Sequence, residues 1–169
     1  MARNLALIGP SSAGKTSLVD LILFKAGAAS RAGSVNDKTS LSDFEPEEKE
    51  RHHSLASSIL HGTWKKELFN IIDTPGYPDF ACEAYMSLAA VETAVFVMAA
   101  GSGVSFHARK LWNRAEEDGK ARLIFLNKMD TEHASFDESV AALQEAFGDK
   151  CLPMVLPKGA GPSFEGVVS

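Results

Sequence analysis

Gly9-Pro10-Ser11-Ser12-Ala13-Gly14-Lys15-Thr16, followed by Ser17, is the stretch that decides the fold. It matches the pattern Gly-x-x-x-x-Gly-Lys-Ser/Thr, in which glycines let the backbone curl until its N–H groups point at phosphate oxygens. A buried strand is predicted before it, over residues 4–8, and a helix after it, over residues 15–26. Phosphate would therefore meet the positive N-terminal end of a helix. Lys15 is expected to reach the β and γ phosphates, and Thr16 to offer its hydroxyl to magnesium.

Outward from this loop, apolar runs of strand length alternate with segments of helical period. That alternation is typical of an α/β domain with a doubly wound, mostly parallel sheet and helices on both faces. Strands are predicted at residues 4–8, 55–60, 67–73, 93–99 and 123–126, the first and the last two of them buried. The helices are predicted from apolar residues at helical spacing, namely Leu18, Leu21 and Ile22; Phe80, Ala84, Leu88 and Val91; Val104, Ala108, Leu111, Trp112 and Ala115; and Phe136, Val140, Leu143 and Phe147.

Turn residues and caps set the remaining boundaries. Gly27 is expected to end the first helix, and Ser135 to Glu138 form a capping box that opens the last one. Gly62-Thr63 is predicted as the turn between two antiparallel strands. Residues 31–54 are polar, without sustained periodicity, and predict a long mobile loop, which in a compact domain is usually functional or disordered.

A second motif, Asp73-Thr74-Pro75-Gly76, follows the apolar strand that ends at Asp73. A carboxylate at that strand tip can hold a magnesium-bound water beside the phosphate loop. The N–H group of Gly76 could contact a γ-phosphate, and glycine permits the hinge that this requires. Alone the motif is an ordinary turn, but its position after the phosphate loop makes a functional role much the stronger interpretation.

The third motif, Asn127-Lys128-Met129-Asp130, selects the base. A carboxylate that faces guanine can accept from its N1–H and its exocyclic amine together, whereas adenine offers no such pair of donors. Asn127 would brace the loop, and the stem of Lys128 would cover the face of the ring. Three motifs in this order, each at the carboxyl end of a strand, predict a site for GTP or GDP with Mg²⁺.

Composition excludes several other classes of protein. The net charge of -5 and the pI of about 5.5 argue against a broad basic face that would grip nucleic acid, so no direct sequence-specific nucleic-acid contact is expected. Cys82 and Cys151 lie far apart, which makes a disulfide framework or a zinc site improbable. No apolar run approaches the roughly 20 residues that span a bilayer, so no membrane contact and a cytoplasmic location are expected.

These motifs resemble the GTP-binding domain of a translational GTPase, closest to elongation factor G and its divergent paralogues, over essentially the whole chain. Residues 43–51 and 73–80 are also similar to that family. The resemblance implies GTP hydrolysis, the ribosome as partner, a first switch at residues 31–54 and a second from Asp73 to about Val91. It divides the chain into a GTP-binding domain, residues 1–150, and the start of an inserted subdomain, residues 151–169. The supporting Ser-Ala-x loop, last strand and last helix of the family's domain do not occur before Ser169.

The chain also departs from the family's pattern. Ser54 keeps a hydroxyl for magnesium, but His53 replaces the isoleucine that forms half of an apolar gate beside the attacking water. Ser12 replaces an aspartate that could hold a second, monovalent cation. Tyr77 replaces the histidine after Asp-x-x-Gly, so we expect weak hydrolysis by the isolated domain, with Tyr77, Lys15 and Gly76 as the catalytic candidates. His52 and His53 are interpreted as solvated loop residues rather than metal ligands.

Two other functions stay open on the sequence. One is a GTP-dependent conformational switch with little hydrolysis, for which Tyr77 is the argument. The other is a translational GTPase of the tetracycline-protection or release-factor type, which shares this domain and differs elsewhere.

Overall fold

A computed structural model describes residues 2–168. Five strands form one sheet in the order β2-β3-β1-β4-β5, in which β2 runs antiparallel to β3 and the other neighbours are parallel. Their bounds are β1 Arg3–Ile8, β2 Ser58–Trp64, β3 Glu67–Asp73, β4 Thr93–Ala99 and β5 Ala121–Asn127. A separate antiparallel hairpin pairs β6 Leu156–Lys158 with β7 Gly166–Val168, where the sequence shows two strand-like pieces. The predicted fold class, a doubly wound and mostly parallel sheet, is confirmed.

Five α-helices accompany the sheet in the described residues. They are α1 Lys15–Lys25, α2 Pro46–Arg51, α3 Ala81–Ala90, α4 Phe106–Glu117 and α5 Phe136–Phe147, and single 3₁₀ turns occupy Pro78–Phe80 and Gly161–Ser163. The end of α1 forms a Schellman motif, because Gly27 takes φ 74° and the N–H groups of Gly27 and Ala28 donate to Phe24 and Leu23. The Ser135 side chain accepts from the N–H of Glu138 at the start of α5, as its capping sequence predicts.

The core lies in two layers, one on each face of the sheet. On one face, β1 and β4 contribute Ala6, Ile8 and Phe96, which pack against helices α3 and α4. On the other face, Leu7 and Val97 pack against α1. Neighbouring residues of a strand point to opposite faces, so two buried faces require the continuous apolar runs seen in β1 and β4.

The segment 31–54 is not the structureless loop that its composition suggests. Helix α2 lies inside it, and the side chain of Glu48 in its first turn accepts from the N–H of Glu45, the residue before the helix. Glu48 is almost fully buried, and its second oxygen accepts from the N–H of Leu55. The sequence did not predict helix α2, because polar contacts hold it in place. Such contacts do not require apolar residues at helical spacing.

The predicted turn at Gly62-Thr63 is also wrong. The chain reverses at Lys65 and Lys66, which both have positive φ, and β2 begins at Ser58 rather than at residue 55. Gly62 lies inside β2 opposite Phe69, and a Cβ atom there would meet the Phe69 ring at 2.6 Å. Glycine is therefore needed at this position for the packing of an aromatic ring, and it does not mark the turn.

Three further predictions, two on burial and one on a helix boundary, need correction. Leu21 is 49% exposed and points away from the sheet, while Val19 and Leu23 fill the α1 contact instead. Val104 precedes α4 and does not belong to it. Strand β5 is an edge strand rather than a buried one, and its alternate residues Leu123 and Phe125 are 46% and 38% exposed.

Candidate nucleotide site

The three motifs meet at the carboxyl ends of β1, β3 and β5. Residues 9–14 connect β1 to α1, Gly76 follows β3, and Asn127 ends β5. A cavity of about 240 Å³ opens there. Its walls come from the loop after β1, from the segment 31–54 and from the loops after β3 and β5: Ser11, Ser12, Gly14, Lys15, Thr16, Ser17, Val35, Asn36, Asp43, His52, His53, Ser54, Gly76 and Lys128.

Helix α1 presents its N-terminus to this cavity without a side-chain cap. Gly14 is the N-cap residue with φ 96°, no side chain accepts from the first turn, and no acidic residue occupies that turn. The first N–H groups of a helix carry a partial positive charge, so this end favours an anion. Lys15 adds a full charge beside it, with Nζ donating to the carbonyls of Gly9 and Pro10 at 3.0 Å. Burial lowers the pKa of Lys15, and the carboxylates of Asp73 and Asp43 oppose that effect.

Asp73 is buried at the tip of β3, next to the phosphate loop. Its Oδ2 atom accepts from the hydroxyls of Thr16 at 2.7 Å and Ser42 at 2.6 Å, while its Oδ1 atom is buried without a partner. Burial raises the pKa of Asp73 to about 6, although both hydroxyls and the charge of Lys15 act in the opposite direction. A buried carboxylate with one unpartnered oxygen is a suitable partner for a cation or its water shell.

Ser54 approaches the same place from the segment 31–54. Its Oγ atom lies 3.3 Å from Oγ1 of Thr16 and donates to Asp43 at 2.6 Å. Asp43 is buried, and its other oxygen has no partner. The group of Thr16, Ser54 and Asp73 is composed of oxygen donors only, which is the chemistry that Mg²⁺ prefers. These residues therefore fit the predicted metal.

Gly76 lies directly on the phosphate loop. Its carbonyl accepts from the N–H of Ser11 at 3.1 Å, and a Cβ atom added to it would collide with that same N–H and meet Nζ of Lys15 at 2.6 Å. The two residues before it are buried, and Thr74 donates its hydroxyl to the carbonyl of Leu7. The Thr74 side chain thus fastens the end of β3 to β1, and the buried Pro75 follows it. Only a residue without a side chain can bring the second motif this close to the first.

Asn127 joins the base-selecting motif to the phosphate loop across 114 residues of sequence. Its Nδ2 atom donates to the carbonyl of Ala13 at 2.8 Å, and a Cβ atom on Gly14 would collide with the same Nδ2 atom. Lys128 has φ 59° and lines the cavity, whereas Asp130 is exposed beyond it. The contact with Ala13 supports the bracing role predicted for Asn127. The base-reading role of Asp130 stays a prediction.

Tyr77 does not line the cavity, but it contacts a residue that does. Its ring is 40% exposed and lies against the ring of His53, with the two centroids 4.7 Å apart and the planes inclined by 54°. His53 is half-buried against this ring, whereas His52 is exposed. Among residues 2–168, no group of three or more His, Cys, Asp or Glu is placed to hold a metal.

The sequence placed the first switch and Ser54 in the segment 31–54, but it did not indicate four other residues of this segment that surround the site. Ser42 and Asp43 bond to the predicted metal ligands Asp73 and Ser54, and Val35 and Asn36 line the cavity. The only signal was the similarity of residues 43–51 to a known family, because single polar residues in an aperiodic segment carry no local pattern.

Fold and site together define a class: a nucleotide-binding domain with a phosphate loop at the N-terminus of α1 and a guanine-type motif after β5. The family described as "Elongation factor Tu GTP binding domain" matches residues 1–161. The chain belongs to this family, and it is the GTP-binding domain of a translational GTPase.

Its relatives include proteins named for elongation factor G. The chain is 38% identical to an "Elongation factor G-like protein" of Mycobacterium tuberculosis (strain CDC 1551 / Oshkosh) over 159 residues, which are 94% of this chain and 22% of the relative. It is 38% identical over 166 residues to a protein of the same name from Thermotoga maritima, with 98% of this chain and 24% of the relative covered. The chain thus spans about a quarter of the length of these relatives.

A crystal structure of a protein from Thermus thermophilus matches with a TM-score of 0.92 and 29% identity. The match covers 99% of this chain and 25% of that protein. None of the helices described within residues 2–168 is long and apolar enough to cross a membrane.

Proposed function

We propose that this chain is the GTP- and GDP-binding, Mg²⁺-dependent part of an elongation factor G-like translation factor that hydrolyses GTP on the ribosome. One observation carries the proposal: the contact of Asn127 with Ala13 brings the base-selecting motif against the phosphate loop, beside the oxygen donors Thr16, Ser54 and Asp73. The names of the relatives support translation as the process, and a cytoplasmic location goes with it.

The reaction is attack of water on the γ-phosphate. The water oxygen forms a bond to phosphorus, the bond from phosphorus to the β–γ bridging oxygen breaks, and the water protons leave with the released phosphate and solvent. Lys15 would hold the β and γ phosphates, and Gly76 would offer its N–H to the γ-phosphate. Magnesium, held by Thr16 and Ser54 and through water by Asp73, would neutralise phosphate charge.

The domain boundary is part of this proposal. Residues 1–150 would form the GTP-binding domain, lacking its last strand and helix, and residues 151–169 would begin the inserted subdomain. The separate β6–β7 hairpin supports a change of structural unit near residue 151.

A second candidate is a GTP-dependent switch that hydrolyses little. Tyr77 favours it, because a phenol, unlike an imidazole, brings no positive charge beside the phosphate and accepts hydrogen bonds only weakly. Single-turnover cleavage of GTP, with and without ribosomes, distinguishes the two candidates. We expect slow cleavage by the isolated domain and faster cleavage with ribosomes; no stimulation would favour the switch.

Base selectivity tests the nucleotide itself. If Asp130 accepts from N1–H and the amine of guanine, GTP and GDP should bind at least about a hundredfold more tightly than ATP, which is about 2.7 kcal/mol. Asp130→Asn should shift the preference toward xanthosine nucleotides, because their extra carbonyl complements an amide. Calorimetry with the three nucleotides measures this, and equal binding of ATP and GTP would refute the assignment.

A further inference from the structure

His53 and Tyr77 are both foreign to the family's pattern, and the structure brings them together. They lie 24 positions apart in sequence, one before β2 and the other after β3, yet their ring centroids are 4.7 Å apart. His53 lines the nucleotide cavity and directly precedes Ser54, the predicted ligand of the metal, whereas Tyr77 directly follows Gly76, the predicted contact of the γ-phosphate. The pair therefore lies on the side of the cavity where the γ-phosphate would be.

One nitrogen of His53 is already occupied. Nδ1 lies 2.9 Å from the carbonyl oxygen of Arg51, and a carbonyl oxygen only accepts hydrogen bonds, so Nδ1 carries the hydrogen of this contact. Nε2 is then the ring nitrogen left for another partner. The contact with Arg51 and the packing against Tyr77 together fix the plane of the imidazole ring.

We propose that His53 orients the attacking water through Nε2, and that Tyr77 is the positioning residue that holds the His53 ring. The water-orienting imidazole would thus belong to the first switch in this protein, and the packing side chain to the second. The proposal rests on the proposed GTP hydrolysis and assigns a residue to it. Bonds form and break as described above, and His53 contributes only a hydrogen-bond acceptor to the water before attack.

The test distinguishes hydrogen bonding by the nitrogens of His53 from packing by its ring. His53→Phe keeps an aromatic ring against Tyr77 and removes both nitrogens, whereas His53→Gln restores an acceptor without a ring. Tyr77→Phe keeps the packing, and Tyr77→Ala removes it. His61→Gln, on the exposed part of β2, serves as the matched control. Each variant of the full-length protein is measured for single-turnover GTP cleavage on ribosomes and, separately, for GTP affinity.

We expect His53→Phe to slow cleavage about a hundredfold, because the attacking water loses the acceptor that orients it, with GTP affinity unchanged. His53→Gln should recover part of the rate, and Tyr77→Ala should cleave more slowly than Tyr77→Phe, which keeps a ring against His53. The control should cleave at the unmodified rate.

Several results would overturn the proposal. His53→Phe could cleave within about threefold of the unmodified protein, or lose affinity in proportion to its rate, which would indicate a binding role. Equal rates for His53→Phe and His53→Gln would show that the acceptor does not matter. An unmodified protein that binds GTP and never cleaves it would refute this role for His53 while leaving GTP binding intact, whereas failure to bind GTP would refute the proposed function itself.

Discussion

At the scale of single residues, the site depends on two glycines, which have no side chain, as much as on the residues that bind. Gly14 and Gly76 lie where a Cβ atom would collide with Asn127 and with Ser11 respectively. Each glycine thus permits contact between two motifs that are far apart in sequence. The motif pattern predicts glycine at both positions because of the backbone conformation. The structure adds a second reason, since another part of the site occupies the space that a Cβ atom would need.

Gly76→Ala should weaken GTP binding by about tenfold or more, or roughly 1.4 kcal/mol, because the added carbon displaces the phosphate loop and Lys15. GDP binding should suffer less, since Gly76 is expected to face the γ-phosphate. Titration with fluorescent analogues of both nucleotides measures the difference. Gly119→Ala is the control. It places alanine at a positive φ of 65° with no neighbour within 4 Å, so it should lower the stability of the fold and leave nucleotide affinity unchanged.

The hydroxyls of Thr16 and Ser54 lie 3.3 Å apart, but they belong to elements of different kinds. Thr16 is in α1, so Thr16→Ala should weaken Mg²⁺-dependent binding of GTP and GDP alike. Ser54 is in the first switch, so Ser54→Ala should weaken only the triphosphate complex, because γ-phosphate is needed to order a switch around the metal. Affinities measured with and without Mg²⁺ test both expectations. Equal losses for GDP and GTP in Ser54→Ala would show that Ser54 is not a switch ligand.

At the scale of elements, the segment 31–54 is held to the domain by buried carboxylates. Oδ1 of Asp20, in α1, accepts from the N–H of Leu41 at 3.0 Å, and Gly33 approaches the same carboxylate so closely that a Cβ atom would meet it at 2.6 Å. The other oxygen of Asp20 is buried without a partner. This contact fixes the middle of the first switch, and its polar character explains why the sequence suggests a loop without structure.

Burial raises the pKa of Asp20, although the N–H of Leu41 and the hydroxyl of Ser40 act in the opposite direction. The folded state therefore binds this proton more tightly than the unfolded state, so the free energy of unfolding falls as pH rises from about 4 through the folded pKa. Asp20→Asn keeps the acceptor for Leu41 and has no charge to bury. In the nucleotide-free protein it should raise the melting temperature at pH 7.

The gain in Asp20→Asn should shrink as the pH approaches 4, where the unmodified carboxyl group also becomes neutral. Asp37→Asn, exposed in the same segment, is the control and should change the melting temperature little at either pH. Thermal melts of the three proteins between pH 4 and 7 give the comparison. A gain that is the same at both ends of this range would exclude the titration of Asp20 as its cause.

At the scale of the whole molecule, β5 is an edge strand of the sheet in the described residues. Leu123 and Phe125 are partly exposed on it, next to the base-selecting motif at its end. An open, apolar edge invites pairing with another chain.

A longer form that adds the supporting loop and last strand implied by the resemblance should release GDP more slowly than residues 1–169 and self-associate less. Stopped-flow release of a fluorescent GDP analogue gives the rate, and sedimentation gives the association state. Lys substitutions at Leu123 and Phe125 in the short form provide a control, since they should reduce self-association without restoring slow release. Equal release rates for both lengths would show that the nucleotide needs nothing beyond residue 169.

The sequence by itself determined the class of fold and the kind of ligand. Continuous apolar runs such as residues 93–99 favour strands buried on both faces, and each motif fixes its own backbone through neighbouring residues. The tertiary structure alone decided which polar groups surround the ligand site. Contacts such as those of Ser42 with Asp73 and of His53 with Tyr77 join residues 24 or more positions apart. A hydrogen bond or a ring contact between such residues imposes no period on the chain, so only folding reveals it.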